Sequence, residues 1–371
     1  MKHGSLAALQ MAHDRSFLRG RPELLRRKWA RMAKSPFAFL RGAAPLWAEV
    51  LRAHPQWLAG LPGRGPLVGD LHLENFGTFR GPRGMTFQVN DFDEAFVGPW
   101  AFDVLRLMTS VVLARPELHA TGVEVLALAD AVLEGHQLAM TRSRPVRPAG
   151  LERLVLAATN AVSKSLAKRL DSKGLLIRDP EKSPEAPKAL VRLLPQALEI
   201  WREALVSSHR PSEQALEVID CTRRVAGTGS LGVERLQVLV RGEAQPWFLT
   251  LKEVRQSPAD ERPPSAIRIV ELMRGSLREP PVLFGASRLG TMPVLISRTG
   301  PGEDKVSVNA YEPRELRATC RYLGALAGDV HARGSGQKVK WSASHRAKLL
   351  DGVIHLVGVH HEAFLAFCRE V

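Results

Sequence analysis

The segment LVGDLHLENFGTFRGPRGMTFQVNDFDEAFVGPWAFDVLRL, residues 67–107, concentrates acidic side chains in a chain whose net charge is +14. Asp70 and Asn75 lie five positions apart in GDLHLEN, and Asp91 ends MTFQVND. GPLVGD and MTFQVND are typical of short strands that run into loops, so both aspartates are expected just after strands. Acidic residues in such positions indicate either a charge-handling site or ordinary turn caps.

The spacing of these residues favours a site that handles phosphates. In phosphotransferases a loop Asp orients or deprotonates a hydroxyl, an Asn five residues later reaches Mg²⁺, and an Asp after the next strand binds the metal. Asp70 is therefore the candidate catalytic residue, and Asn75, Asp91 and Asp93 are candidate Mg²⁺ ligands. Asp93 and Glu94 either contact the metal or hold the loop. Taken singly, each residue is more often a cap.

Two further polar positions in the segment are expected to be structural. Asp103 falls in the first turns of the helix predicted from GPWAFDVLRL, where it either accepts backbone N–H groups of the Asp70 loop or complements the helix N-terminus. His72 and Glu74 alternate with Asp70, but no H-E-x-x-H or H-x-E with C-x-x-C accompanies them. His72 is therefore expected to orient or pack rather than to bind a transition metal.

A glycine-rich segment, AGTGSLGVERLQVLV, offers a phosphate-binding loop. Gly227, Gly229 and Gly232 have G-x-G-x-x-G spacing with Ser230 among them, a pattern shared by dinucleotide-binding and kinase-type loops. Residues 233–240 alternate apolar and polar side chains and predict a second strand. The glycines are then in a β-hairpin, as in kinases, and not in the strand-to-helix turn of a Rossmann fold. The alternative is a hairpin that binds nothing.

The next predicted strand, WFLTLKEV, carries Lys252 as the partner of nucleotide phosphates. The helix predicted from SAIRIVELMRGSL offers Glu271 as the carboxylate that pairs with Lys252. PVLISR, ending at Arg298, predicts the strand that leads to the hinge where adenine meets backbone groups.

The bulk composition narrows the class of protein. The chain has 371 residues, 45% of them hydrophobic, and contains no apolar run long enough for a membrane helix. The apolar run near the N-terminus is too short for a signal peptide. Isolated cysteines indicate a reducing, cytoplasmic setting. The positive charge favours anionic partners, but scattered basic residues and 6% aromatics argue against nucleic acid.

The order of patterns along the chain predicts an α+β protein. Helical patterns over roughly 100–114, 118–141, 150–170 and 188–206 precede a β-rich region, and helices close the chain. The predicted units are a helix-rich lobe with the catalytic and metal-binding loops (1–215), a β-rich nucleotide-binding lobe (216–310) and C-terminal helices that pack on the first lobe (311–371).

Several motifs resemble a known family. GDLHLENFG, NDFDEAFVGPWAFDVLRL, SPFAFLRGAA, GTGSLG and LKEV closely resemble an uncharacterised bacterial family, domain of unknown function 2252, over roughly residues 20–335. A deeper resemblance is to aminoglycoside phosphotransferase-like members of the protein-kinase-like superfamily, which read H-G-D-x4-N, I-D and G-D-x-x-x-D-L-A. It implies ATP and Mg²⁺ as cofactors, Asp70 as the catalytic Asp, Asn75 and Asp91 as metal ligands, and Asp103 as the structural Asp. Val68 and Asn90 depart from the pattern of that family, so the resemblance does not identify the substrate.

The order of parts departs from that of ordinary kinases, in which the glycine loop and lysine come first. RYLGALAGDVHARG resembles the helix that in kinases runs directly into the catalytic loop. The resemblance therefore implies a two-lobed, circularly permuted protein-kinase-like fold. Permutation requires the glycine loop and Lys252 to face Asp70 and Asp91 across one cleft.

Three functions follow, in order of preference. The first is an ATP- and Mg²⁺-dependent phosphotransferase acting on a hydroxyl of a small molecule, with a protein acceptor less favoured. The second is a nucleotide-binding pseudokinase or regulatory protein without transfer. The third, a nucleic-acid-binding protein, rests on charge alone. Acceptor and oligomeric state are left open.

Overall fold

The computed structural model describes residues 3–141, 143, 145–161 and 168–371. The helices are α1 (His3–Phe17), α2 (Pro22–Met32), α3 (Pro36–Gly42), α4 (Ala44–Ala53), α5 (Ala101–Leu113), α6 (Gly122–Met140), α7 (Ala149–Thr159), α8 (Lys188–Val191), α9 (Leu194–Ala204), α10 (Ala266–Ser276), α11 (Leu316–Ser335) and α12 (Ala343–Cys368). The strands are β1 (Arg64–Leu67), β2 (Phe76–Gly81), β3 (Gly84–Val89), β4 (Phe96–Pro99), β5 (Val218–Arg223), β6 (Arg235–Val240), β7 (Trp247–Glu253), β8 (Phe284–Leu289), β9 (Met292–Thr299) and β10 (Asp304–Lys305). The predicted mixture of α and β structure is confirmed.

The larger hydrophobic core is mainly helical. It joins apolar faces of α1–α6, α11 and α12 with β2 and β3, and it fully buries Trp47, Trp100 and Phe367. Local signals set the helix starts: the side chain of Ser35 accepts a hydrogen bond from the N–H of Ala38 at 3.1 Å, and Pro36 follows in the first turn of α3. Ser at the N-cap followed by Pro in the first turn is a common sequence signal for the start of a helix.

Helices α6 and α11 pack at very close range. A Cβ on Gly135 of α6 would collide with the carbonyl of Arg321, and one on Gly324 of α11 would collide with the carbonyl of Val132. Glycine at both positions lets the two backbones touch. This contact brings His136 and His331 together in the helical core.

A second core lies on one five-stranded antiparallel sheet, ordered β5-β6-β7-β9-β8. Its buried side chains include Leu249 of β7, Ile296 of β9 and Trp201 of α9. Helix α9, which the sequence analysis assigns to the helix-rich lobe, packs here against β8. Helix α10 packs between β8 and α11.

Two small sheets carry the acidic loops. Strand β1 pairs with β4, and β2 pairs with both β3 and β10. The Asp70 loop follows β1 and Asp91 follows β3, as predicted. The sequence analysis predicts neither β2 nor β4, nor the return of the chain at β10, where Lys305 stands opposite Gly77.

Two predicted helices differ in extent. The pattern over 150–170 gives α7, which ends at Thr159, and residues 162–167 lie outside the described part of the chain. The pattern over 188–206 divides into α8 and α9. Among the described residues, no helix combines the length and apolar character that crossing a membrane requires.

Candidate functional site

One cavity of about 560 Å³ collects most of the predicted site residues. Its wall includes Asp70, Asp91, Asp93, Gly227, Gly229, Ser230 and Lys252. The acidic loops and the glycine loop with its lysine are thus on one cavity, although they are far apart in the chain. Of the predicted residues, Asn75, Gly232 and Glu271 do not line it.

The start of the Asp70 loop is held by Asp103 of α5. Its carboxyl oxygens accept the N–H groups of Val68 at 2.7 Å and Gly69 at 3.0 Å, and the side chain is fully buried. Gly69 has a φ of +87°, and a Cβ there would collide with the carbonyl of Glu94. The predicted role of Asp103, to fix this loop through its backbone N–H groups, is confirmed.

The far end of the loop is fixed through Leu73 and Asn75. The N–H of Leu73 donates to Ser110 Oγ at 3.1 Å, and the hydroxyl of Tyr311 donates to the Leu73 carbonyl at 2.6 Å. Asn75 Nδ2 donates to the Asp70 carbonyl at 2.5 Å. The Asn75 side chain is 2% exposed, and its Oδ1 meets no hydrogen-bond donor within the described chain. A buried, unpaired amide oxygen suits a hard cation.

A directional chain of hydrogen bonds reaches Asp103 from the C-terminal region. Trp341 Nε1–H donates to His136 Nδ1 at 3.0 Å, which leaves the proton of His136 on Nε2. His136 then donates to His331 Nδ1 at 3.0 Å, and His331 Nε2 donates to Asp103 Oδ2 at 3.1 Å. Burial holds the pKa of His136 well below its ordinary value, so this ring stays neutral. This series of hydrogen bonds fixes the tautomer of both histidine rings.

Asp70 has an ionic partner that the sequence analysis does not identify. Arg106, fully buried on α5, forms an ion pair with Asp70. Its guanidinium also donates to the carbonyl of Leu40 at 3.0 Å and lies 5.3 Å from the centre of the Trp47 ring. Burial raises the pKa of Asp70 above its ordinary value, although Arg106 opposes that shift. Arg106 therefore orients the Asp70 carboxyl and stabilises its ionised form.

His72 packs beside Asp70 as a neutral ring. Its Nδ1 accepts the N–H of Glu74 at 3.2 Å, and its Nε2 lies 3.9 Å from Asp70 Oδ2. Burial, together with Arg41 and Arg106, lowers the pKa of His72 well below its ordinary value. The ring meets the edge of Phe37. This environment agrees with the expected orienting or packing role.

Two lysines from distant strands meet the second acidic loop. Lys252 Nζ lies 3.8 Å from Asp91 Oδ1 and forms an ion pair with Asp93. Lys305, from β10, pairs with the other oxygen of Asp91. Burial alone would raise the pKa of Asp91, but Lys252 and Lys305 outweigh it and hold the pKa below its ordinary value. Burial lowers the pKa of Lys252, and Asp91 opposes that shift.

The predicted Lys252–Glu271 pair is not formed. Helix α10 turns Ile269, Val270 and Met273 towards the core, so that Glu271 falls on its exposed side. The partners of Lys252 are Asp91 and Asp93 instead. The 3.6-residue period of the helix, with its apolar stripe at 269, 270 and 273, accounts for this correction.

The glycine loop joins β5 to β6, so the predicted hairpin is confirmed. Gly227 and Gly232 have φ values of +85° and +101°, which favour glycine. Their carbonyls accept hydrogen bonds from Arg31 and, at 3.0 Å, from Arg21 Nη1. The N-terminal region therefore holds the loop, and the local sequence of neither segment predicts this contact.

Glu94 is a further residue of the site, and only the structure reveals its place in the cavity and its unusual environment. It lines the cavity, and its Oε2 has no hydrogen-bond partner among the described residues. Burial, followed by the charge of Asp70, raises the pKa of Glu94 to about 8. The carboxyl is therefore protonated near neutral pH and can donate a proton or a hydrogen bond into the cavity.

The raised pKa of Glu94 makes stability depend on pH. The unfolded chain ionises this group above about pH 4.5, whereas the folded protein keeps the proton up to about pH 8. The free energy of unfolding should therefore fall as the pH rises through this window. We expect Glu94→Gln, which stays uncharged, to remove about 3 kcal/mol of the fall in the free energy of unfolding between pH 5.5 and 8.5. Urea unfolding of both proteins at pH 5.5 and 8.5 measures this change. Glu199→Gln, at an exposed position, is the control. If the free energy of unfolding depends on pH in the same way in the wild type and in Glu94→Gln, the raised pKa of Glu94 is contradicted.

The described residues contain no set of three or more His, Cys, Asp or Glu side chains arranged to hold a metal ion. Mg²⁺ needs fewer: it commonly takes one or two carboxylates together with phosphate oxygens and water. Asp91 and Asn75 lie near each other, since the N–H of Asn90 donates to the Asn75 carbonyl at 3.1 Å. Hard oxygen donors, one of them buried and unpaired, are the donor set that Mg²⁺ prefers.

A family model described as uncharacterized protein conserved in bacteria, domain of unknown function 2252, matches residues 19–357. The chain belongs to this family. The match spans the acidic loops, the glycine hairpin and the helix that carries His331, so all of the predicted site residues lie within the family domain. The resemblance of the sequence motifs to domain of unknown function 2252 is confirmed. Neither a curated protein nor a solved structure matches the chain.

Proposed function

We propose that this member of the family is a kinase-like phosphotransferase that moves the γ-phosphate of ATP to a hydroxyl group of a small-molecule acceptor. One observation carries the proposal: Lys252 Nζ lies 3.8 Å from Asp91 Oδ1, on a cavity that also exposes Asp70 and the glycine loop. Phosphoryl transfer relies on positioning and charge neutralisation, and these groups supply both.

Each group in the cavity has a distinct task in this proposal. Asp70, oriented by Arg106, accepts a hydrogen bond from the acceptor hydroxyl and takes its proton. Lys252 turns from Asp91 and Asp93 to the phosphate oxygens. The N–H groups of residues 227–230 cover the phosphates from the hairpin side.

In this proposal Asp91 and Asn75, with Asp93 as a further ligand, would hold Mg²⁺, which would supply positive charge to neutralise the phosphate oxygens. The unpaired Oδ1 of Asn75 and the ionised state of Asp91 fit that task. Lys305 keeps Asp91 ionised and oriented while Lys252 is engaged with phosphate.

The permuted, two-lobed kinase-like arrangement belongs to the same proposal. In the ordinary order of parts, the helix before the catalytic loop runs directly into it. Here the end of α11 lies against β1, the strand that leads to Asp70: a Cβ on Gly65 would be 2.6 Å from Cβ of Ser335, and one on Gly334 would be 2.8 Å from Cγ of Pro66. This contact supports a circular permutation, in which the chain begins and ends at different points while this helix and the strand before the catalytic loop keep their relative positions.

The test is nucleotide binding measured by thermal unfolding. ATP with Mg²⁺ at about 100 times its dissociation constant is expected to raise Tm by about 4 °C, and ATP without Mg²⁺ should raise it much less. Lys252→Met should abolish the Mg²⁺-dependent shift, because the phosphates lose their buried cation. Lys188→Met, at an exposed position on α8, should leave it intact. A wild-type protein without any Mg²⁺-dependent nucleotide shift would contradict the proposal.

A second candidate is a nucleotide-binding regulatory protein without transfer. The ion pair between Arg106 and Asp70 favours it, because it occupies the carboxyl that would accept the hydroxyl proton. Both candidates bind nucleotide through Lys252, so they differ in whether ADP is released.

A further inference from the structure

A second cavity, of about 1130 Å³, adjoins the first and is strongly basic. Its wall carries six cationic side chains: Arg80, Arg169, Arg224, Arg235, Arg298 and Lys305. Of the described residues that line it, one, Glu303, is acidic. We call this space the basic cavity.

Glu303 does not offset these cations through side-chain pairs. Its two carboxyl oxygens accept backbone N–H groups, from Gly300 at 2.8 Å and from Arg80 at 3.1 Å. The basic cavity therefore keeps an excess of positive charge, which destabilises the folded protein by repulsion unless an anion enters.

One guanidinium in the cavity is held in place by stacking. The Arg298 guanidinium carbon lies 4.3 Å from the centre of the Trp247 ring, at the end of β9. Stacking on an indole fixes the plane of the donor fork, so that its N–H groups remain available to a ligand. Planar guanidinium donors match the oxygens of phosphates and carboxylates.

The basic cavity shares a wall with the proposed catalytic cavity. Arg224, Arg235 and Lys305 line both, and Lys305 also pairs with Asp91. A ligand in the basic cavity is thus within electrostatic reach of Asp91. An uncharged ring such as a nucleobase would leave the charge of Arg80 and Arg298 in the basic cavity without a matching anion.

We propose that the basic cavity binds a phosphate-bearing small molecule through its phosphate groups. The bound group is polyanionic, with Arg298 and Arg80 as its principal contacts. Its source is either the phosphate chain of a nucleotide or a separate phosphorylated molecule. The site exists whether or not Asp70 catalyses transfer, so it goes beyond the proposed function.

The experiment is calorimetric titration of the full chain with inorganic pyrophosphate in the absence of Mg²⁺. Saturable binding that weakens as salt rises is expected. Arg298→Gln and Arg80→Gln should each weaken it about tenfold, the usual loss for one charge-assisted hydrogen bond. Arg288→Gln, at an exposed position on β8 outside both cavities, should bind as the wild type does. Arg80 is itself exposed, so its variant tests the site even if Arg298→Gln disturbs the packing on Trp247.

Three results would overturn the proposal. The first is the absence of saturable binding, and the second is a loss in Arg288→Gln equal to that in the Arg298 and Arg80 variants. The third is binding that Lys252→Met removes while both Arg298→Gln and Arg80→Gln retain it, which assigns the anion to the catalytic cavity. Failure of the proposed function looks different: it removes Mg²⁺-dependent ATP binding and leaves pyrophosphate binding unchanged.

A competition arm identifies the source of the phosphate groups. Pyrophosphate displaced by saturating ATP indicates the phosphate chain of the nucleotide. Pyrophosphate that still binds beside saturating ATP indicates a separate phosphorylated molecule. Both results sustain the proposal, provided that the arginine variants weaken binding.

Discussion

Replacing Asp70 by Asn is expected to reduce transfer of the γ-phosphate by at least about 100-fold, the usual contribution of a positioned general base. Asn has nearly the same shape but cannot take a proton from the acceptor hydroxyl. Mg²⁺-dependent ATP binding should persist, because the substitution leaves Lys252, Asp91 and Asn75 unchanged, and these residues bind the phosphates and Mg²⁺ in the proposal. Retained binding with lost transfer separates a catalytic residue from one that merely maintains the cavity.

Transfer can be measured without knowing the acceptor. The protein is incubated with γ-labelled ATP, Mg²⁺ and the small-molecule fraction of a bacterial extract, and labelled products and ADP are quantified. Asp351→Asn, at an exposed position on α12, serves as the matched control and should keep wild-type activity. Equal transfer by Asp70→Asn and wild type would refute the catalytic role of Asp70. ATP binding by the wild type with neither ADP nor labelled product would favour the regulatory alternative.

Replacing Asp103 by Ala should have the largest effect on stability. Its carboxyl accepts hydrogen bonds from Val68, Gly69 and His331, and it is fully buried. The substitution strands three donors at once, and breaking such a buried network costs about 3–5 kcal/mol. The free energy of unfolding from urea titration at pH 7 measures this loss.

The control for Asp103→Ala is Asp351→Ala, which should stay within about 0.5 kcal/mol of the wild type because its side chain is exposed. A loss below about 1 kcal/mol for Asp103→Ala would mean that water or a shifted loop replaces the carboxyl. Val68 and Gly69 would then be held by some other acceptor. The bracing role assigned to Asp103 would be refuted.

Local patterns predicted the parts of the fold that depend on neighbours in sequence. The strands before Asp70 and Asp91, the glycine hairpin and the Lys252 strand all follow from alternation, turn residues and glycine spacing. The role of Asp103 followed from its position one turn into a helix beside the loop. These features are set within about 40 residues of chain, where periodicity and turn chemistry act.

Features that depend on distant contacts could not be predicted in this way. Arg106 lies in a mostly apolar helix, and only the folded structure reveals that Asp70 faces it. Lys305 reaches Asp91 because β10 returns to pair with β2. Glu271 was predicted as the partner of Lys252 because kinases have a helix carboxylate at about this distance after the lysine. The apolar residues of α10 face the core, however, and Glu271 lies on the opposite, exposed side of the helix. The raised pKa of Glu94 likewise depends on burial by segments remote in sequence.

The hydrogen-bond chain from Trp341 to Asp103 has a consequence for how the protein is made. A ribosome releases the Asp70 loop early and the segments that carry Tyr311, His331 and Trp341 more than 200 residues later. The loop is therefore synthesised long before its supports, and a nascent chain that ends before residue 311 exposes a set of acids without its hydrogen-bonded frame. Synthesis of these later segments, rather than emergence of the loop, is the step at which the Asp70 loop acquires its hydrogen-bonded frame.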